Sequence, residues 1–223
     1  MSSNLEANKK SQERLSQSAE AKGLRTMYSD VQGEVSRRLT ERYGSLVPPE
    51  RLHKLQDLPP VFEKRHEFDQ SYKRAGGEIS HKNQTTGFVN ANGLESPHVV
   101  RGQEMASLGV SVAHEDLHLL SDPRSKEALG NMYEGVTEHF AQDILNITPE
   151  TLASADQNSA YVRETASAKR LCGTVGREVV ENAYFKGEIQ PLRVKLDEVL
   201  GKKNHESFCT EVKTWADLSD DRK

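Results

Sequence analysis

The stretch VSVAHEDLHLL, residues 110–120, decides how the centre of this chain is built. Its apolar residues are interrupted by only a few polar side chains, and the pattern predicts one helix over about 104–121. His114 and His118 are four positions apart, so their side chains project from the same face of the helix, one turn apart. Glu115 lies about 100° further round the helix axis. The segment therefore presents two imidazoles and a carboxylate close together.

Two imidazoles at this spacing can bind one zinc ion. Zinc with three protein ligands keeps its fourth position for water, lowers the pKa of that water towards about 7 and polarises a substrate carbonyl. A glutamate beside it can take the proton from the water and pass it to a leaving amine. The alternative interpretation is a pair of surface histidines on an amphipathic helix. The His-Glu pair also occurs in HEFDQ at 66–70, where Gln70 stands in place of the second histidine. Because so short a motif recurs by chance, a third metal ligand is needed to distinguish a zinc site from a coincidence.

A third ligand is available in NMYEGVTEHFAQD, residues 131–143. Glu134 and Glu138 lie four positions apart on the helix that is predicted over about 124–146. The apolar stripe that predicts this helix consists of Leu129, Met132, Val136, Phe140 and Ile144. Burial of carboxylates beside such a stripe requires a compensating cation, and a metal dication would supply it. Spacing alone permits either glutamate as the third ligand.

H-E-x-x-H followed on the next helix by E-G-x-T-E resembles the gluzincin branch of zinc metallopeptidases, which includes thermolysin-like and aminopeptidase families. The resemblance implies one catalytic Zn²⁺ bound by His114, His118 and Glu134. It further implies that Glu115 acts as general base and then acid, and that Glu138 orients His114. The specific match covers residues 114–138.

The looser match, a small sheet followed by helices, covers about 75–190. The link from His118 to Glu134 is shorter than in the best-known gluzincins, which implies a tight loop at SDPRS, residues 121–125. Several of these families, aminopeptidases among them, have Asn directly before the ligand glutamate. This chain has Tyr133 there, which favours an endopeptidase.

Hydrolysis of a peptide bond through an oxyanion also calls for a hydrogen-bond donor. Tyr161, in NSAYVRE, is the first candidate, and Tyr133, Tyr184 and Arg163 are its rivals. Upstream, TTGFVNA at 85–91 is expected to be an edge strand that pairs with extended substrate. The alternative for this segment is an ordinary hairpin strand.

The rest of the chain predicts an α+β fold that is mainly helical, in which a helical C-terminal half follows the sheet and the two motif helices. Residues 1–25 are poor in bulky apolar side chains and are expected to form a mobile polar tail. Residues 26–223 are expected to form a single zincin-like domain. The remaining elements are predicted as helices over 27–43, about 49–55, 158–186, 191–200 and 205–218, and as short strands around GEISH, 77–81, and TTGFVNA.

Composition limits the partners and the compartment. In the chain of 223 residues, 35% are apolar and 29% charged, with a net charge of −4 and both signs interspersed, which disfavours nucleic acid and membrane as partners. No apolar block long enough for a signal peptide or a membrane span is present. A protein made in the cytoplasm is expected, and Cys172 and Cys209 are expected to be thiols. The polar tail resembles that of small bacterial zincin toxins and secreted effectors, which implies export by a non-classical secretion system.

The function expected from these observations is zinc-dependent hydrolysis of peptide bonds in a protein substrate. Glu115 would serve as base and acid, and Tyr161 would stabilise the oxyanion. The alternative is a catalytically silent, zinc-stabilised pseudo-protease that acts as a binding protein.

Overall fold

The computed structural model describes residues 2–77, 85–90, 95–130, 132–147 and 162–201, with the backbone alone for 2–21 and 162. Helices dominate these residues and one small sheet accompanies them, which confirms the mainly helical α+β fold. The helices are α1 Ser2–Tyr43, α2 Pro49–Asp57, α3 Arg65–Arg74, α4 Met105–Leu120, α5 Pro123–Leu129, α6 Met132–Leu145, α7 Val162–Val175, α8 Arg177–Lys186 and α9 Ile189–Leu200. The strands are β1 Val61–Glu63, β2 Gly87–Phe88 and β3 His98–Val100.

Helix α1 packs the predicted apolar face against the core. Its buried residues recur every three or four positions and comprise Tyr28, Val31, Val35, Leu39 and Tyr43. The helix begins at Ser2, whereas the sequence predicted its start at Met27. Apolar spacing does not reveal the earlier turns, because the residues before Met27 have too few apolar side chains to form a stripe. It ends as predicted before Gly44, where a Cβ atom would lie 2.4 Å from the carbonyl oxygen of Thr40.

The sheet has the strand order β1-β3-β2. Strand β3 is central, pairs parallel with β1 and antiparallel with β2, and buries Val99 completely. Among the described strands, β2 therefore lies at an edge of the sheet, as predicted for TTGFVNA. The other expected strand, GEISH, lies outside the described residues except for Gly77.

Two helices that were predicted as continuous are each divided by a glycine with positive φ. Gly130, at φ 51°, separates α5 from α6, and Gly176, at φ 96°, separates α7 from α8. Periodicity does not reveal such a break, because the apolar stripe resumes in the next helix. The predicted ends at Gly187 and Gly201 are confirmed by α8 and α9.

The expected tight loop after α4 is a two-residue connection, Ser121 and Asp122, that leads directly into α5. The Asp122 carboxylate accepts a hydrogen bond from the backbone N–H of Arg124 at 3.0 Å and so caps α5. Helix α4 itself contacts α1, α2, α6, β2 and β3, and it is buried on nearly every side. The segment that carries both histidines is thus the centre of the packing.

Across the described ranges, none of the helices has the length and apolar content that crossing a membrane requires. Cys172 is a buried free thiol on α7. Cys209 and the predicted helix over 205–218 lie outside the described residues.

Candidate metal centre

Helices α4 and α6 pack side by side and bring the two sequence motifs together. Glu134 Oε2 lies 3.1 Å from His114 Nε2 and 3.2 Å from His118 Nε2. One ligand atom from each of the three residues falls within 4.8 Å of the others. Donors from two helices therefore converge on one point, and the residue brought there from α6 is Glu134 rather than Glu138.

Glu138 lies behind His114. Its Oε2 is 3.0 Å from His114 Nδ1, and its Oε1 accepts a hydrogen bond of 2.8 Å from the Gln142 amide. All three side chains are buried. A carboxylate that accepts a hydrogen bond from one nitrogen of a histidine fixes the tautomer and the orientation of the ring. Glu138 thus holds His114 Nδ1, and Nε2 points towards Glu134 and His118.

His118 has a corresponding partner that sequence reasoning missed. Its Nδ1 lies 3.1 Å from the hydroxyl oxygen of Tyr133, which is 2.6 Å from Ser121 Oγ. Ser121 also donates a hydrogen bond to the His118 carbonyl oxygen at 2.9 Å. Tyr133 was considered from the sequence only as a rival oxyanion donor. Its place directly before Glu134 turns its hydroxyl towards α4, and nothing in the sequence alone indicates which residue it meets there.

The three convergent side chains form an electrostatic unit. Burial alone would lower the pKa of His114, but hydrogen bonds to Glu134 and Glu138 outweigh burial and hold that pKa well above 6.5. Burial would raise the pKa of Glu134, yet the charge and hydrogen bonds of both histidines place it well below 4.5. In His118 burial prevails and lowers the pKa. The raised pKa of His114 favours its protonated form, which places a positive charge between the Glu134 and Glu138 carboxylates.

Glu115 is buried against the same centre. Burial raises its pKa to about 8, and the nearby charges of Glu134 and Glu138 act in the same direction. Strand β2 approaches this carboxyl closely. A Cβ atom on Gly87 would lie only 2.6 Å from Glu115 Oε1. Glycine at position 87 is thus what lets the edge strand lie against the carboxyl group.

Asp116 follows Glu115 and is buried as well. Within the described ranges neither of its carboxylate oxygens has a hydrogen-bond partner, and burial raises its pKa well above 3.8. Burial thus favours the neutral form of this carboxyl over the charged one.

The donor set fits zinc. Two imidazole nitrogens and one carboxylate oxygen form a combination that binds catalytic Zn²⁺ and leaves a coordination position open. The orientation of His114 by Glu138 and of His118 by Tyr133 matches what metal-binding histidines require. A His114–His118–Glu134 group can therefore hold a metal ion.

The centre opens into a cleft of about 370 Å³. Its floor contains His114, His118, Glu115 and Glu134, and the β2 segment 85–90 supplies further lining. The remaining lining residues belong to helices and to the α4–α5 connection. They are Arg51, Lys54, Tyr72, Leu119, Ser121, Pro123, Lys126 and Tyr133. A volume of this size accommodates a small ligand or a few residues of a peptide.

Of the four residues that the sequence offered as oxyanion donors, the structure places one in the cleft lining, two elsewhere, and does not describe the fourth. Tyr161, the first candidate, lies outside the described residues. Tyr184 is fully buried and its hydroxyl is 2.8 Å from Thr137 Oγ1, and Arg163 is exposed; neither lines the cleft. Tyr133 does line it, but its hydroxyl is engaged by His118 and Ser121.

Comparison of the chain with protein-family models, with curated proteins and with solved structures gives no significant match. The gluzincin resemblance accordingly remains a hypothesis, carried by the motif residues and by their arrangement.

Proposed function

We propose that this protein is a zinc-dependent metallopeptidase that hydrolyses peptide bonds in a protein substrate. The observation that carries the proposal is the convergence of His114, His118 and Glu134, with the buried carboxyl of Glu115 on the same cleft floor. Any one of these residues has an ordinary structural explanation. Their combination at one point, open to a cleft, is what peptide hydrolysis requires.

His114, His118 and Glu134 would hold the ion, and Glu138 and Tyr133 would keep the two imidazoles in orientation. Zinc bound there would supply Lewis-acid chemistry, polarising a substrate carbonyl and lowering the pKa of water. Glu115 would accept a proton from water and later deliver it to the leaving amine nitrogen. Burial makes its carboxylate a stronger base, and a dication bound beside it would favour the ionised form that accepts the proton.

An extended polypeptide is the proposed substrate because an edge strand borders the cleft. Strand β2 pairs with β3 on one side, and its segment 85–90 contributes to the cleft lining. A substrate strand could add to such an edge through backbone hydrogen bonds. Pairing of this kind does not depend on a chain end, which agrees with an endopeptidase.

The decisive experiment is elemental analysis of purified protein after incubation with one equivalent of zinc and desalting. We expect about one zinc per chain in the wild type, a sharp loss in Glu134→Ala, and wild-type content in Glu115→Gln. The matched control is Glu178→Ala, which replaces an exposed glutamate of α8.

The same preparations are then incubated with casein, with and without chelator. We expect chelator-sensitive cleavage by the wild type and by the Glu178→Ala control, and none by Glu115→Gln. Wild-type protein that takes up no zinc would exclude a metal centre. Zinc uptake without cleavage would favour the silent pseudo-protease, and cleavage by Glu115→Gln at the wild-type rate would exclude Glu115 as the base.

A further inference from the structure

Three cationic side chains line the cleft beside the candidate centre. Arg51 and Lys54 come from α2, and Lys126 comes from α5. Among the residues that the structure describes, the carboxylates that line the same cleft are Glu115 and Glu134, and both belong to the centre itself. The part of the cleft that α2 and α5 contribute is therefore positively charged.

Two of these cations can be placed from their contacts. The Arg51 guanidinium is fixed by a 2.9 Å hydrogen bond to the Leu120 carbonyl oxygen and faces Asp122 at 3.5 Å, so a carboxylate already compensates part of its charge. Lys126 lacks such a carboxylate partner among the described residues. Its ammonium group is exposed and, within the part of the chain that the structure describes, forms no ion pair.

Lys126 is also close to the centre. Its Nζ lies 6.0 Å from the ring centroid of Tyr133, and the hydroxyl of that ring is 3.1 Å from His118 Nδ1. One aromatic ring thus separates the ammonium group from a metal-binding imidazole. A ligand group that meets Lys126 would lie within a residue or two of the atoms held at the centre.

We propose that Lys126, together with Arg51 and Lys54 in the lining of the same cleft, forms a subsite for a carboxylate of the substrate. The subsite selects peptides that carry a carboxylate, from an acidic side chain or from the C-terminus, within a few residues of the bond that is cleaved. A carboxylate bound there replaces the solvent around an uncompensated ammonium group. This inference rests on the proposed peptidase function and names the class of peptide that the site accepts.

The test uses four fluorescent hexapeptides of the form Ala-Ala-Phe-X-Ala-Ala. X is glutamate or glutamine, and each peptide has either a free or an amidated C-terminus. Binding to zinc-loaded Glu115→Gln protein is measured by fluorescence anisotropy, and cleavage by the wild type is measured as kcat/KM. The same measurements are made with Lys126→Met and Lys126→Glu, combined with Glu115→Gln for binding, and with Lys169→Met as a control for loss of an exposed lysine outside the cleft.

We expect a preference of about three- to tenfold for the carboxylate over the matched amide. Lys126→Met should abolish the preference, Lys126→Glu should reverse it, and Lys169→Met should keep it. A preference that follows X assigns the subsite to an acidic side chain, and one that follows the terminus assigns it to the C-terminal carboxylate.

Equal affinity and equal kcat/KM for all four peptides, unchanged by Lys126→Glu, would overturn the subsite while leaving the peptidase proposal intact. Carboxylate-selective binding that depends on Lys126, with no cleavage of any peptide, would support the subsite and count against the peptidase. Absence of binding to all four peptides would overturn the subsite.

Discussion

At the scale of single residues, one carboxylate oxygen holds the candidate centre together. Glu134 Oε2 faces both imidazole nitrogens, at 3.1 and 3.2 Å. Helical spacing alone permits either Glu134 or Glu138 as the third ligand, and the gluzincin resemblance favours Glu134. The rotation of α6 against α4 brings Glu134 to the two histidines. Glu134 turns towards the cleft, whereas Glu138 lies under His114.

Glu115 makes stability depend on pH in a direction that can be measured. Its pKa is about 8 in the folded protein, against an ordinary value of 4.5, so the folded state favours the protonated carboxyl. A carboxyl with a raised folded-state pKa destabilises the protein as the pH rises from its unfolded-state pKa to its folded-state pKa. The window for this loss of stability is therefore about pH 4.5 to 8.

Metal-free Glu115→Gln should consequently be more stable than the metal-free wild type. We expect the difference in the free energy of unfolding to grow from roughly 1 kcal/mol at pH 5 to roughly 3 kcal/mol at pH 7. Urea unfolding followed by circular dichroism at several pH values, with chelator present, measures it. Glu178→Gln is the exposed control and should follow the wild type. A pH-independent difference would contradict the raised pKa.

At the scale of elements, close packing of α6 against α7 places Glu134. A Cβ atom on Gly135 would lie 2.4 Å from the carbonyl oxygen of Glu164, so the two helix backbones approach as closely as glycine allows. Tyr133 and Glu134 directly precede this contact. Any displacement of α6 from α7 would therefore move both the ligand and the partner of His118.

Gly135→Ala should separate these two helices. We expect the free energy of unfolding to fall by about 1–3 kcal/mol, as for overpacking in a core, and the zinc affinity to fall with it. Gly173→Ala on α7 is the matched control, since no atom lies within 4 Å of a Cβ there. That control should gain up to about 1 kcal/mol from helix propensity. Chemical denaturation and zinc titration of both variants measure the effects, and equal responses would contradict the packing argument.

At the scale of the whole molecule, the centre lies where several parts of the fold meet. Helix α4 contacts α1, α2 and both β2 and β3, while α6 contacts α1 and α7. The aromatic rings of Tyr43, Phe140, Tyr184 and Phe185 pack together behind α6 and anchor it to α1 and α8. A metal ion that joins α4 to α6 would thus stabilise the core as a unit.

Zinc should raise the melting temperature of the wild type, because an ion that binds only the folded state stabilises it in proportion to the logarithm of its concentration. Glu134→Ala should show little rise. Glu138→Gln should need about 10- to 100-fold more zinc for the same rise, since His114 loses its orienting carboxylate. Differential scanning calorimetry across a zinc series measures these shifts, and a rise in Glu134→Ala equal to that of the wild type would place the ion elsewhere.

The mainly helical α+β class, the helix that carries both histidines, the edge strand and most helix ends could be predicted from the sequence alone. These features follow from local rules, namely apolar periodicity, glycine at helix ends and side-chain spacing on a helix. The same rules predicted helices through Gly130 and Gly176, because an apolar stripe can continue across a break.

The contact of Tyr133 with His118 and the position of Lys126 beside the centre depend on tertiary packing alone. Helical spacing left Glu134 and Glu138 open as third ligand, the resemblance favoured Glu134, and the packing of α6 against α4 brings Glu134 to the histidines. Each of these depends on how one helix is rotated and positioned against another. Such rotations are set by contacts between distant residues, such as Gly135 against Glu164 and Gly87 against Glu115. No local pattern in the chain encodes them.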